Sequence, residues 1–77
     1  MKQILKEIAN ERKRQTKLYG VQNHDKGYWL SILGEEFGEV CRAVCDHDDK
    51  NYREELIHVA AVAVQMIECY DRNKSSN

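Results

Sequence analysis

From Leu56 to Ile67 the chain reads LIHVAAVAVQMI, and only His58 and Gln65 interrupt an otherwise apolar run. At about 100° per residue, a helix built from this run shows apolar side chains around nearly its whole girth. A helix that is apolar all round is buried all round. The chain has 77 residues, which is one domain's worth. A domain of that size buries only about 60% of the surface its unfolded chain exposes. The two other helices of one chain, one of them largely polar, cannot enclose such a helix, so a second copy of the chain is expected to cover it. The expectation is a homodimer or homotetramer built as an intersubunit helix bundle.

The rest of the chain is also written for helices. It contains no proline, its four glycines fall at positions 20, 27, 34 and 38, and period-2 alternation is scarce. The fold class is all-α, a single domain over 1–77 with three main helices at about 2–18, 28–45 and 52–70. The first helix carries only Ile4, Leu5, Ile8 and Leu18 as apolar positions and is polar from Asn10 to Lys17. Gly20 suits its C-terminal stop, and Val21–Gly27 reads as a loop. On the second helix, Trp29, Leu30, Leu33, Phe37, Val40, Cys41 and Val44 form the main apolar stripe, which Ile32 and Ala43 widen on one side. Asp46–Lys50 reads as a polar turn. Asn51, with Glu54 three residues on, reads as the cap of the third helix. A polar tail from Asn73 to Asn77 is expected to fray.

Several classes of function fall away on composition. Net charge is −1 and the pI is about 6.3, so the chain is not built to bind a nucleic-acid backbone. No apolar run approaches the roughly 18–20 residues of a membrane span. The opening MKQILKEIANERKR lacks the apolar stretch of a secretory signal, and a cytoplasmic location is expected. Three cysteines without a CxxC pair suggest neither a disulfide framework nor a zinc site. They read as small apolar fillers.

What remains is a set of acids in unexpected places. Glu36 falls in helical register between Ile32 and Val40, and Glu39 lies one turn along the same margin. The next helix repeats the device, with Glu55 on the stripe of Val59, Val62 and Met66 and His58 one turn on. Like charges beside an apolar stripe repel one another and lose hydration unless a cation sits between them. Antiparallel packing about the short turn brings Glu36 and Glu39 to the height of Glu55 and His58. Carboxylate oxygens favour a hard divalent ion, magnesium first and manganese as the alternative. Magnesium commonly completes its shell with substrate phosphates, so such a cage suits a phosphorylated substrate. A carboxylate left free of metal can orient a water for attack on phosphorus.

These residues resemble a known family. Glu35-Glu36-Phe37-Gly38-Glu39, followed by Arg53-Glu54-Glu55-Leu56-Ile57-His58 and the VAAVAV run, is similar to the EExxE and ExxD motifs of the MazG-like, all-α nucleoside triphosphate pyrophosphohydrolases. The likeness reaches upstream to Trp29-Leu30-Ser31-Ile32-Leu33-Gly34 and covers about residues 28–70. The resemblance implies cleavage of a nucleoside triphosphate between its α and β phosphates, giving the monophosphate and pyrophosphate, in a bundle completed by a second subunit. By the same likeness Glu36, Glu39 and Glu55 hold magnesium, and Glu35 holds a further metal or orients the water. His58 stands where the family has aspartate, as the fourth ligand. Imidazole is a poor ligand for magnesium, so the site works with three carboxylates, prefers manganese or another transition metal, or is impaired in catalysis.

Substrate handles are Trp29, which opens the second helix beside the loop and offers a face to a base, and Arg53, whose charge suits a phosphate. Two other readings stay open on the residues alone. One is a nucleotide-binding or helical interaction module that has lost its chemistry through His58. The other is a carboxylate-bridged di-iron bundle, because Glu55-x-x-His58 also spells the Glu-x-x-His motif of that class.

Overall fold

A computed structural model describes residues 1–75 of the chain. Three α-helices follow one another, α1 Lys2–Tyr19, α2 Lys26–Cys45 and α3 Asp49–Ser75, with no strand among the described residues. The all-α reading holds, and the helix ends are set by caps. Gly20 closes α1 with a φ of 71° and donates its N–H to Thr16 O, a conformation that glycine adopts without strain.

α2 starts two residues earlier than its sequence pattern implied. The Asp25 carboxylate accepts the Tyr28 N–H at 2.8 Å, which satisfies a backbone donor that a helix start otherwise leaves without a partner. α3 starts three residues early for the same reason. Its cap is Asp48, which accepts the Asn51 N–H at 3.1 Å, rather than Asn51 itself. The turn between α2 and α3 thus shrinks to Asp46–Asp48. There Asp48 N–H bonds Ala43 O, His47 N–H bonds Val44 O, and His47 takes a left-handed φ of 54°. This is the Schellman closure of a helix, with histidine where glycine is usual.

α3 is also longer than expected, running on through Asn73 to Ser75. The last two positions of the expected frayed tail, 76 and 77, lie outside the described residues. The extra turn holds Arg72, which donates to Gln22 O at 2.9 Å and to Asn23 Oδ1 at 3.1 Å, tying the α1–α2 loop to the end of α3.

α3 is the central element, for both other helices pack on it and not on each other. α2 runs antiparallel to it. Its contact face carries Trp29, Val40 and Ala43, which meet Ala61, Val62 and Cys69 of α3 to make the buried apolar core. The Trp29 indole N–H, buried without an oxygen or nitrogen acceptor, reaches only toward the sulfur of Cys69, a weak acceptor. Cys69 therefore fills the core as expected, whereas Cys41 and Cys45 are exposed; no disulfide forms among the described residues.

α1 packs differently, and it contributes no buried residue. It runs parallel to α3 and is held by ion pairs, Glu7 with Arg53 at 2.8 Å and, farther along, Arg12 with Glu68 at 2.7 Å. The described part of the chain measures 46 × 28 × 22 Å, with a radius of gyration of 13.4 Å. A compact chain of this length would have a radius of about 11–12 Å.

Candidate metal centre

Glu36 of α2 and Glu55 and His58 of α3 converge where α2 packs against α3. Each offers a ligand atom within 4.8 Å of the others. His58 Nδ1 lies 3.2 Å from Glu55 Oε2 and 3.9 Å from Glu36 Oε2. The convergence follows from register. Glu55 and His58 are three apart and share one face of α3, while Glu36 sits on the α2 face that also buries Val40 and Ala43.

A further acid arrives from α1. Glu11 Oε2 stands 3.9 Å from the other ring nitrogen, Nε2 of His58. The imidazole is thus flanked by Glu36 and Glu55 on its Nδ1 side and by Glu11 on its Nε2 side. Glu11 is anchored in turn by Arg14, which donates to its two oxygens at 2.8 and 2.6 Å. Glu11 is the residue that sequence reasoning missed. The available signal was a face of α1, Glu7-Ile8-Glu11-Arg12-Gln15, that repeats at helical spacing but is polar, so a search for apolar stripes passes over it.

The electrostatics separate the two acids. The Arg14 hydrogen bonds hold Glu11 below the ordinary carboxylate range, against some burial. Burial pushes Glu36 above that range; His58 opposes the shift, while Glu55, Glu39 and Glu11 add to it by repulsion. With Glu11 neutralised by Arg14, the carboxylates of Glu36 and Glu55 bring two negative charges when ionised, and the His58 ring offers one nitrogen. A divalent cation balances that charge, and two oxygens with one nitrogen suit manganese or zinc at least as well as magnesium. Metal–ligand bonds of about 2.0–2.1 Å would require the three side chains to draw together slightly.

The other expected residues are placed as follows. Glu39 is exposed and outside the trio of ligand atoms, although its charge is felt at Glu36. Glu35 is exposed on the neighbouring face of α2. Trp29 is 3% exposed, with His24 edge-on to its ring at 4.9 Å, so the indole serves the core. Arg53 is engaged in a two-pronged pair with Glu7. It nevertheless lines, with Arg14 and His58, an open groove of about 330 Å³ between α1 and α3.

The family model for phosphoribosyl-ATP pyrophosphohydrolase matches residues 1–67, which include all four of Glu11, Glu36, Glu55 and His58. The chain belongs to that family. Phosphoribosyl-ATP pyrophosphohydrolases are hydrolases of phosphoric anhydride bonds and members of the MazG-like all-α superfamily that the EExxE and ExxH motifs resemble. The match extends through α1, upstream of the motifs, which fits the contact of Glu11 with the cluster. No curated protein and no solved structure matches the chain. Among the described residues, no helix is long and apolar enough to cross a membrane.

Proposed function

We propose that the chain is a divalent-metal-dependent pyrophosphohydrolase that splits a nucleoside triphosphate, or a phosphoribosyl adduct of one, into the monophosphate and pyrophosphate. One observation carries the reading. Within the span matched to the family, the acids of two sequence-distant motifs meet at one point together with His58. Glu36, Glu55 and His58 would hold the ion, and Glu39, one turn along α2, would reach it through a water or a second ion. The ion would supply charge neutralisation at the phosphates. Arg53 and Arg14, beside His58 in the groove, would exchange their glutamate partners for phosphate oxygens, since a guanidinium fork fits either. Glu35, exposed next to the cluster, would orient the attacking water and take its proton as the α–β bridging bond breaks and pyrophosphate leaves.

Exposed apolar side chains support self-association. Leu30, Phe37 and Val44 recur every seven residues along the free face of α2, and Leu56, Val64 and Ile67 lie uncovered on α3. A homodimer or homotetramer would bury them. The family assignment favours phosphate chemistry over a di-iron centre for the same Glu-x-x-His pair.

The deciding experiment incubates the purified chain with nucleoside triphosphates and magnesium, then manganese, and follows products by phosphorus NMR. Equal amounts of monophosphate and pyrophosphate are expected. Release of orthophosphate alone, or no turnover with either ion, would overturn the proposal.

A further inference from the structure

Gln65 is out of place on α3. It lies one turn from Ala61 and Val62 and one turn before Cys69, all buried, and is itself only 7% exposed. Among the described residues its carboxamide makes no hydrogen bond. The other polar side chains near it are differently placed. Gln15 bonds Glu11 and Arg12, and Gln22 bonds His24. Most of the side chain is covered while its amide is not sealed from the cleft, and leucine or methionine would fill the same volume. Packing by itself does not call for an amide at this position.

Gln65 lines a cleft of about 130 Å³ whose other walls include Tyr19, Gln22, Trp29, Ile32 and Glu36. Glu36 is shared with the candidate metal centre, so one wall of the cleft is also one wall of the site expected to hold phosphates. Ligand pockets for whole drug-sized molecules run to roughly 300 Å³ and above; this one has room for a flat ring and not for a complete nucleotide. Trp29, Ile32 and Val62 give such a ring apolar contacts, and the Gln65 amide and the Tyr19 hydroxyl, neither with a protein partner among the described residues, can both donate and accept.

We infer that the cleft takes the nucleobase of the substrate and that Gln65 is its specificity-determining residue, pairing its carboxamide with a donor and an acceptor side by side on the base edge. A carboxamide makes this two-point pairing with the amino group and ring nitrogen of adenine. The inference rests on the nucleotide pyrophosphohydrolase reading above and adds the residue that reads the base. A site built to hydrogen-bond its ligand discriminates strongly, because the wrong ligand leaves the buried group unpaired.

The test uses the intact chain with manganese and two probes, α,β-methylene-ATP, which cannot be cleaved at the relevant bond, and inorganic tripolyphosphate, which has no base. Binding is measured by calorimetry for wild type, Gln65→Met and Gln65→Leu. The Met variant keeps the shape of glutamine and removes its hydrogen bonds. Both variants should melt at or above the wild-type temperature. They should bind α,β-methylene-ATP at least tenfold more weakly and tripolyphosphate as wild type does. Equal weakening for both probes would assign Gln65 to general architecture and overturn the inference, as would unchanged binding of the nucleotide. A lower melting temperature in both variants would overturn it too, by making the amide a structural group. If wild type binds neither probe, the failure belongs to the nucleotide reading itself, and the base-reading role falls with it.

Discussion

At the scale of single residues, the candidate centre is a balance between burial and charge, and two substitutions probe it. Glu36 has its pKa raised chiefly by burial. A group whose folded pKa exceeds its unfolded one contributes stability that is fully present below the unfolded value and is lost as pH rises through the folded one. With a chelator present, wild type and Glu36→Gln should therefore melt alike near pH 4. The variant should melt a few degrees higher at pH 7, where wild type carries a poorly solvated charge. Calorimetric melts across that range check this, and the same variant should lose divalent-ion affinity by more than tenfold. Glu11 has the opposite sign: its lowered pKa, set by Arg14, contributes stability above the ordinary carboxylate value that disappears as pH falls through the folded one. His58→Asp tests the departure from the family motif. An aspartate there supplies a third oxygen donor, so magnesium affinity and magnesium-dependent pyrophosphate release should both rise, while the advantage of manganese over magnesium should shrink. Unchanged ion preference would put His58 outside the coordination shell.

At the scale of elements, the helices differ in what holds them. α2 and α3 share the apolar core, whereas α1 is tied down by side chains that stay partly in water. Exposed ion pairs contribute little to stability, so α1 is the least firmly held of the three and still brings Glu11 to the centre. The joint between α2 and α3 carries a local strain. His47 at a φ of 54° occupies a region that costs an L-residue roughly 1–2 kcal/mol, although histidine is found there more often than most. His47→Gly should relieve part of that cost, less the added freedom of glycine in the unfolded chain. The expected gain is about 0.5–1 kcal/mol, read as a higher urea midpoint at unchanged slope. The metal centre should not notice, because the turn's backbone hydrogen bonds, Asp48 to Ala43 and His47 to Val44, do not involve the His47 side chain.

At the scale of the whole molecule, the apolar inventory and its burial do not match. Among the described residues the buried apolar core comprises six side chains, Trp29, Val40, Ala43, Ala61, Val62 and Cys69, while Phe37 is 61% and Ile67 60% exposed. Contiguous apolar faces of this kind on a small chain mark interaction surfaces. Light scattering at micromolar concentration should give at least twice the 9.0 kDa chain mass. Phe37→Asp should shift the equilibrium toward the single chain and lower the melting temperature with it, since folding and assembly are linked in such small protomers. A wild-type chain that is stably folded as a monomer would contradict the proposed bundle.

Helix content, the order of the helices and the pairing of Glu36 with Glu55 and His58 were legible in the sequence. Periodicity along one helix follows from its own residues, and a short turn forces neighbouring helices antiparallel. The helix ends were less legible, because Asp25 and Asp48 compete with nearby polar residues as caps and only the backbone path decides between them. Which face of α2 is covered was also hidden. Its apolar residues extend over more than one stripe, and α3 selects Trp29, Val40 and Ala43 while Leu30, Phe37 and Val44 stay free. The placement of Glu11 and of Gln65 belongs wholly to the tertiary structure. One is a polar residue on a polar helix, the other a single amide within an apolar run. Neither has meaning until the helices place Glu11 against His58 and leave Gln65 without a partner beside Glu36. A sequence determines what each helix can bury; only packing determines which polar groups that burial brings together.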